Sequence, residues 1–217
     1  MRRIGLGGCL FALSFAHWSY SSELAVIVLN PSAWVKGNLP PEWHVKIARG
    51  RADIETCSGT DGCVRLKSED SSFGLEREVN IDAARTPKLT WSWKVTQLPG
   101  GGDFRHKATD DQAAQLLVAF SDRHILSYIW DSTAPKGTME AASSFPLVHI
   151  FAIVCESGPS LEGKWVSESR DVAADYERAF AKPAPHIKGL RLQINSQHTG
   201  TAAESYFGEV AFRSKTL

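Results

Sequence analysis

The sequence has no excess of charge of either sign, since 24 Lys and Arg residues balance 24 Asp and Glu residues among its 217 residues. A chain without a basic surplus lacks the long-range field that collects phosphates or anionic lipid, so nucleic acid is not an expected partner. It also lacks the composition of a disordered chain, because 43% of its residues are apolar and 22% are charged. We therefore expect one globular domain with a hydrophobic core.

Recognisable catalytic motifs are missing as well. The chain has no G-x-S-x-G elbow and no H-E-x-x-H helix, and its glycines at 100–102 are not followed by the lysine and helix of a phosphate loop. Past the amino terminus there is no apolar run close to the roughly 20 residues of a membrane-spanning helix; the run at 147–155 is far too short. The sequence predicts no membrane span in the mature chain and does not by itself identify a reaction.

The amino terminus has the composition of a secretory signal peptide. Arg2 and Arg3 precede an apolar run at 4–15, and small residues follow it, so we predict a signal at 1–21 with cleavage between Ala16 and Ser21. The run is too short for an anchoring helix. A tetrad resembling a lipoprotein box ends at Cys9, but the apolar stretch before it is only about one helical turn. We expect an exported protein, periplasmic or extracellular, whose mature domain is 22–217 with 22 basic and 24 acidic residues.

Export makes the three remaining cysteines informative. Cys57 and Cys63 flank a turn-rich segment and are predicted to form a disulfide in an oxidising compartment. Cys155 lies in an apolar run, which is typical of a buried and inert thiol. Their spacing is not that of a zinc site, so no metal is assigned to them.

Alternation of polar and apolar residues predicts a protein made mainly of strands. The pattern is unbroken at 88–95 and 190–195, and each of these strands should have one buried and one wet face. Further strands are expected near 24–29, 44–48, 63–67, 73–79, 115–121, 125–130, 147–155, 163–168 and 206–212. The predicted fold class is all-β, a jelly-roll-like antiparallel β-sandwich with one short helix near 171–180. That helix should begin at the N-cap Asp171 and place Tyr176 on its buried face.

An ordered series of segments resembles an uncharacterised bacterial family, domain of unknown function 3047. The segments that carry the resemblance are 72–77, 89–95, 110–114, 126–130, 169–172 with 175–176, and 206–212. It extends from about residue 42 to the end, and departs from the family at 195–200, where the family tends to have more acidic residues before its Thr-Gly pair. The resemblance implies an exported jelly-roll-like sandwich, similar in shape to carbohydrate-binding and laminarinase-type domains. It implies no established reaction, so function has to be argued from sites.

Two charged clusters are candidate sites. The first is the loop that holds Asp103, His106, Asp110 and Asp111, which suits a solvated loop, a calcium ion or acid–base chemistry. No cofactor is otherwise expected. The second cluster is Arg170 with Asp171, Asp175 and Tyr176, which reads either as a fork of donors for a ligand or as a structural corner that fastens the helix to the sheet.

Aromatic and acidic residues on the strands supply further candidates. Trp91 and Trp93 alternate with polar residues in a way that is typical of core positions, whereas Trp130 beside Asp131 at a strand end is a candidate for stacking on a sugar. Candidate carboxylates for glycoside hydrolysis are Glu76, Glu78, Asp131, Glu156 and Glu168, although Glu76 and Glu78 also suit a solvent-facing strand edge.

From these residues we predict a protein that binds a glycan or another polar envelope ligand without catalysis. The predicted groove holds Trp130, Asp131, Asp110, Asp111 and Arg170. One alternative is a polysaccharide hydrolase or lyase that uses paired carboxylates, and a second is a structural or partner-binding envelope protein. The oligomeric state is left open.

Overall fold

A computed structural model describes residues 24–35, 37–57, 62–142 and 147–215. The predicted signal peptide at 1–21, its cleavage region and Cys9 lie outside the described residues. The described parts of the chain contain strands and one α-helix. In chain order these are β1 (Ala25–Leu29), β2 (His44–Arg49), β3 (Asp53–Cys57), β4 (Cys63–Glu69), β5 (Ser72–Ile81), β6 (Lys88–Gln97), β7 (Ala114–Phe120), β8 (His124–Asp131), β9 (Met139–Ala141), β10 (His149–Ser157), β11 (Val166–Asp171), α1 (Val172–Phe180), β12 (Ile187–Asn195) and β13 (Ala202–Arg213).

The strands form two sheets that pack face to face, so the predicted β-sandwich is confirmed. The six-stranded sheet has the order β11-β6-β13-β4-β3, with β1 also paired to β13. The seven-stranded sheet has the order β2-β5-β12-β7-β8-β10-β9. All strand pairs are antiparallel except β8 with β10, in which His149 lies opposite His124. The short strands β3 and β9 have no counterpart among the predicted strands; both are at sheet edges, where little periodicity is needed.

The core lies between the sheets and is rich in aromatic side chains. Trp91 and Trp93 of β6 are 2% and 0% exposed, as their alternation with polar residues predicts. From the facing sheet, Tyr128 packs 5.2 Å from Trp91 and Trp130 packs 6.1 Å from Trp93, measured between ring centroids. Truncating side chains of this size in a core costs about 3–5 kcal/mol.

The helix begins where the sequence predicts it. The Asp171 Oδ1 atom accepts a hydrogen bond from the Ala174 N–H at 3.0 Å, which is the expected N-cap. Val172 and Tyr176 are fully buried against the sandwich, and Ala181 ends the helix in the left-handed conformation. No helix in the described ranges is both long enough and apolar enough to cross a membrane.

The cysteines adopt the predicted states. Cys57 at the end of β3 and Cys63 at the start of β4 are directly opposite in register and form a disulfide. Cys155 is a buried free thiol, and burial raises its pKa. A thiol held protonated in this way is a poor nucleophile.

Candidate functional site

A groove of about 840 Å³ crosses the outer face of the seven-stranded sheet. Its walls come from β2, β5, β12, β7, β8 and β10 and from the loops before β7 and after β12. Successive side chains of a strand point to opposite faces, so the residues that line the groove alternate with residues that fill the core. This volume is within the range of small-molecule binding sites.

Hydrogen-bonded polar side chains form a continuous row along one half of the groove floor. The Arg191 Nε atom donates to Glu76 Oε2 at 3.0 Å, and its Nη2 donates to the same oxygen. The Gln193 amide then joins Arg191 to Gln115, at 3.3 Å on each side. Gln115 Nε2 donates to Asn195 Oδ1 at 2.6 Å. These five residues are called the polar row below, and their mutual bonds fix the orientations of their side chains.

The backbone under the polar row is shaped to accept the arginine. A Cβ atom at Gly74 would lie 2.7 Å from the Leu192 carbonyl oxygen and 2.9 Å from Arg191 Cδ. Only glycine therefore leaves room for the Arg191 side chain to cross β5 and reach Glu76.

The other half of the groove floor is aliphatic. It consists of Leu117, Ala119, Ile125, Val148 and Ile150, which are called the aliphatic strip below. Ala119 lies opposite Ile125 in the pairing of β7 with β8, and Ile150 lies opposite Ile125 in the pairing of β8 with β10. The two halves meet on β7, where Gln115 belongs to the polar row and Leu117, which is paired with Arg191 of β12, belongs to the aliphatic strip.

Asp110 lies at one end of the groove, at the loop before β7. Its carbonyl oxygen accepts a bond from Asn195 Nδ2 at 2.7 Å and lies 2.9 Å from His198 Nδ1. Its side chain accepts from Gln112 Nε2 at 3.0 Å. Of the five residues that the sequence proposes for the groove, Asp110 is the one in the described ranges that lines this cavity.

Asp111 and Asp131 are fully buried and bind their own chain. Asp111 Oδ2 accepts from the Thr199 N–H at 2.6 Å and from its hydroxyl at 2.8 Å. Asp131 Oδ1 accepts from the backbone of Ala134 at 2.7 Å, and its Oδ2 accepts from the Phe104 N–H at 3.0 Å. Burial raises the pKa of Asp131. Both aspartates therefore hold the loops around the groove, and neither side chain lines it.

Trp130 belongs to the core. Its side chain has no exposed surface, and its indole N–H donates to the Gly158 carbonyl at 3.2 Å. Along β8 the residues Ser127 and Ile129 face the groove, so Trp130 faces the opposite way. No face of the ring is open for stacking on a sugar.

Arg170 lies between α1 and the sandwich. Its guanidinium binds Asp175 through two parallel bonds of 2.8 and 2.6 Å, and Asp175 also accepts from the Tyr128 hydroxyl at 3.0 Å. The Tyr176 hydroxyl donates to Asp122 at 2.5 Å. This geometry is the structural corner that fastens the helix, and it is separate from the groove.

The loop considered for calcium uses its carboxylates internally. Asp103 is ion-paired with Arg105 at 2.7 Å, and the Arg105 hydrogen bonds lower the pKa of Asp103 to about 2. Asp103 also accepts from the Thr133 hydroxyl at 3.2 Å. Within the described ranges, no three His, Cys, Asp or Glu side chains are grouped as a metal site would require.

Apart from the buried Asp131, the carboxylates considered for hydrolysis lie in two places. Glu76 and Glu78 of β5 both line the groove. Glu156 of β10 and Glu168 of β11 do not line the groove, and they share a hydrogen bond with each other. Burial and the nearby charge of Glu156 raise the pKa of Glu168 to about 7.

Sequence reasoning missed most of the polar row. Arg191, Gln193 and Asn195 are the polar members of the alternating run at 190–195, whose wet face was expected but not assigned to a site. Gln115 carries no motif and enters the site because β7 pairs with β12. The alternation was a usable signal; the pairing was not visible in the sequence.

Comparison with known proteins gives a family and a fold. The sequence model of the family described as "Protein of unknown function (DUF3047)" matches residues 42–211. No curated protein matches the chain. The structure is similar to the xyloglucanase domain of NopAA, a type three effector from Sinorhizobium fredii solved with cellobiose; identity is 8%, the TM-score is 0.52, and the match covers 80% of this chain and 93% of that one. It is also similar to a family 29 carbohydrate-binding module, with 10% identity, a TM-score of 0.42 and 88% coverage of each chain. At these identities the likeness to the xyloglucanase domain shows a shared sandwich fold.

Proposed function

This chain belongs to the DUF3047 family of proteins of unknown function, and we propose that it binds a glycan in the groove of the seven-stranded sheet. The observation that carries the proposal is the polar row, in which three carboxamides, one guanidinium and one carboxylate are held by one another along the floor of a groove of about 840 Å³. A carboxamide both donates and accepts hydrogen bonds, and sugar hydroxyls need both. In small-molecule sites, a small number of precisely placed polar groups fixes the orientation of the ligand.

The proposed contacts differ from those that the sequence suggested. Asp110 stays in the proposal because it lies at the groove end. Trp130 is replaced by the polar row because its ring is buried in the core. Asp111, Asp131 and Arg170 do not contact the ligand in this proposal. The two aspartates hold the loops around the groove, and Arg170 holds α1.

The proposal is tested by a glycan array followed by isothermal titration calorimetry with the glycan that binds best. Gln115→Ala and Gln193→Ala each remove an amide from the polar row, and each should weaken binding about 2- to 10-fold, since a net hydrogen bond contributes about 0.5–1.5 kcal/mol. Gln97→Ala removes an exposed glutamine from the six-stranded sheet and serves as the matched control. An array without a hit, or equal affinity of the groove variants and the wild type, contradicts the proposal.

We propose in addition that the protein is exported and that residues 1–21 are its signal. The disulfide between Cys57 and Cys63 supports this, because such bonds persist in oxidising compartments. Mass spectrometry of the protein from the culture medium and periplasm would give the cleavage site. A cytoplasmic protein with residues 1–21 intact contradicts export.

Hydrolysis of the bound glycan is the second candidate function, favoured by one observation: Glu76 and Glu78 both lie in the groove. Alternate residues of a strand are about 7 Å apart, a separation close to those that two catalytic carboxylates need. Release of reducing sugar from a panel of plant and bacterial cell-wall polysaccharides would establish the activity if Glu76→Gln or Glu78→Gln abolished it. Glu177→Gln, at an exposed position of α1, is the control. If the wild type releases no reducing sugar, the hydrolase hypothesis is contradicted and glycan binding without catalysis remains the proposal.

A further inference from the structure

The two halves of the groove floor differ in the chemistry they offer. The polar row covers β5, β12 and the start of β7, whereas the aliphatic strip covers the rest of β7 with β8, β10 and the segment that leads into β10. Leu117 of β7 and Ile125 of β8 belong to the strip. Ser127, two residues after Ile125 on β8 and paired with Leu117, is a small side chain on the same face. A ligand that fills the whole groove therefore has one polar part and one apolar part.

The apolar half is not built for stacking on a sugar ring. Among the described lining residues Phe104 is the only phenylalanine, tyrosine or tryptophan, and it is 5% exposed. Sugar rings stack on flat aromatic faces, whereas branched aliphatic side chains favour flexible hydrocarbon through the hydrophobic effect. The aliphatic strip thus fits a chain of methylene groups.

The charges where the two halves meet favour a neutral head over a carboxylate. Arg191 is the cation opposite Leu117, where the two halves meet, and its guanidinium is already bound to Glu76. A free carboxylate at that position would meet an arginine that is already neutralised. A neutral head with hydroxyl groups fits the amides beside it better.

From this division we infer that the ligand is an acylated glycan, with its sugar on the polar row and its acyl chain on the aliphatic strip. The inference rests on the proposed function, since it names the ligand class of the same groove. Burial of one methylene favours binding about fourfold. Burying two or three of them should therefore improve affinity about 15- to 60-fold over the same sugar without a chain.

The test is isothermal titration of the full chain with octyl β-D-glucopyranoside below its micelle concentration, methyl β-D-glucopyranoside and sodium octanoate. We expect the octyl glucoside to bind at least 10-fold more tightly than either of the other two. Ile125→Ser should remove that gain, so that the octyl and methyl glucosides bind about equally. Ile47→Ser, at a 53% exposed position of β2 outside the groove lining, is the matched control.

A second variant protects the test against misfolding. Ala119→Leu fills the strip from a partly exposed position and should also lower the affinity for the octyl glucoside, with an unchanged melting temperature. Equal affinity for the octyl and methyl glucosides contradicts binding of an acyl chain on the aliphatic strip, but it does not contradict glycan binding in the groove. Octanoate that binds as tightly as the octyl glucoside, with no effect of Gln193→Ala, overturns the glycan part and with it the proposed function.

Discussion

Glu168 makes the stability of this protein depend on pH. It lies on β11, the edge strand of the six-stranded sheet, and it shares a hydrogen bond with Glu156 of β10 in the facing sheet. Glu156 is 6% exposed and is bound to Lys136 at 2.5 Å. Burial and the charge of Glu156 raise the pKa of Glu168 from 4.5 to about 7, against the opposing effect of Lys136. At pH values between 4.5 and about 7, the folded protein therefore keeps a proton on Glu168 that the unfolded chain has released.

The direction of the pH effect follows from that difference. At about pH 4 both states are protonated at Glu168. Between about pH 4.5 and 7 the unfolded chain has lost this proton and the folded protein keeps it, so the free energy of unfolding falls as the pH rises. Above pH 7 the loss is complete. The shift of about 2.5 units corresponds to about 3 kcal/mol, and solvent screening at this partly open edge reduces it to about 2 kcal/mol.

Glu168→Gln removes the charge and keeps the shape. We expect the variant to equal the wild type in stability at pH 4 and to exceed it by about 2 kcal/mol at pH 8.5. Urea unfolding followed by tryptophan fluorescence at several pH values measures the difference. Glu162→Gln, at an exposed position in the loop before β11, is the control and should show no pH-dependent difference. A stability difference for Glu168→Gln that is the same at pH 4 and pH 8.5 would refute the reasoning.

Four further substitutions or treatments test the structure. Gly74→Ala places a methyl group against the Leu192 carbonyl and Arg191, so we expect a loss of about 1–3 kcal/mol in urea unfolding; unchanged stability would contradict the close approach. Asp111→Asn weakens two bonds to Thr199 and should cost about 2 kcal/mol, and a neutral effect in the same assay would argue against that role. Asp171→Ala removes the N-cap of α1 and should cost about 1 kcal/mol, whereas Asp171→Ser should restore most of it. Reduction of the Cys57–Cys63 disulfide opens a short loop and should lower stability by about 2 kcal/mol; equal unfolding midpoints with and without reductant would contradict this.

Much of the fold was predictable because each prediction used a local signal. The alternation in 88–95 follows from one buried and one wet face, and the structure places Trp91 and Trp93 in the core as expected. The helix start at Asp171 and the disulfide between Cys57 and Cys63 also depend on neighbouring residues alone. Short edge strands such as β9 were missed, because three residues carry too little pattern.

The candidate site was harder to predict, and β8 shows why. Its two faces are both mainly apolar: Ile125 and Ile129 face the groove, while Tyr128 and Trp130 face the core. Periodicity cannot choose the wet face of a strand when both sets of residues are hydrophobic. The sequence therefore leaves Trp130 a candidate for a cleft, although its ring lies in the core.

The sequence alone determined most of the strands, the helix that begins at Asp171, the disulfide and the family, because all of these depend on residue types at short spacings. Only the tertiary structure decided which side chains share a surface. Glu76 and Arg191 are 115 positions apart and meet because β5 pairs with β12; Gln115 joins them because β7 pairs with β12 on its other side. Strand order is set by packing energy summed over the whole sandwich. The groove is a product of that order, which is why its residues carry no motif.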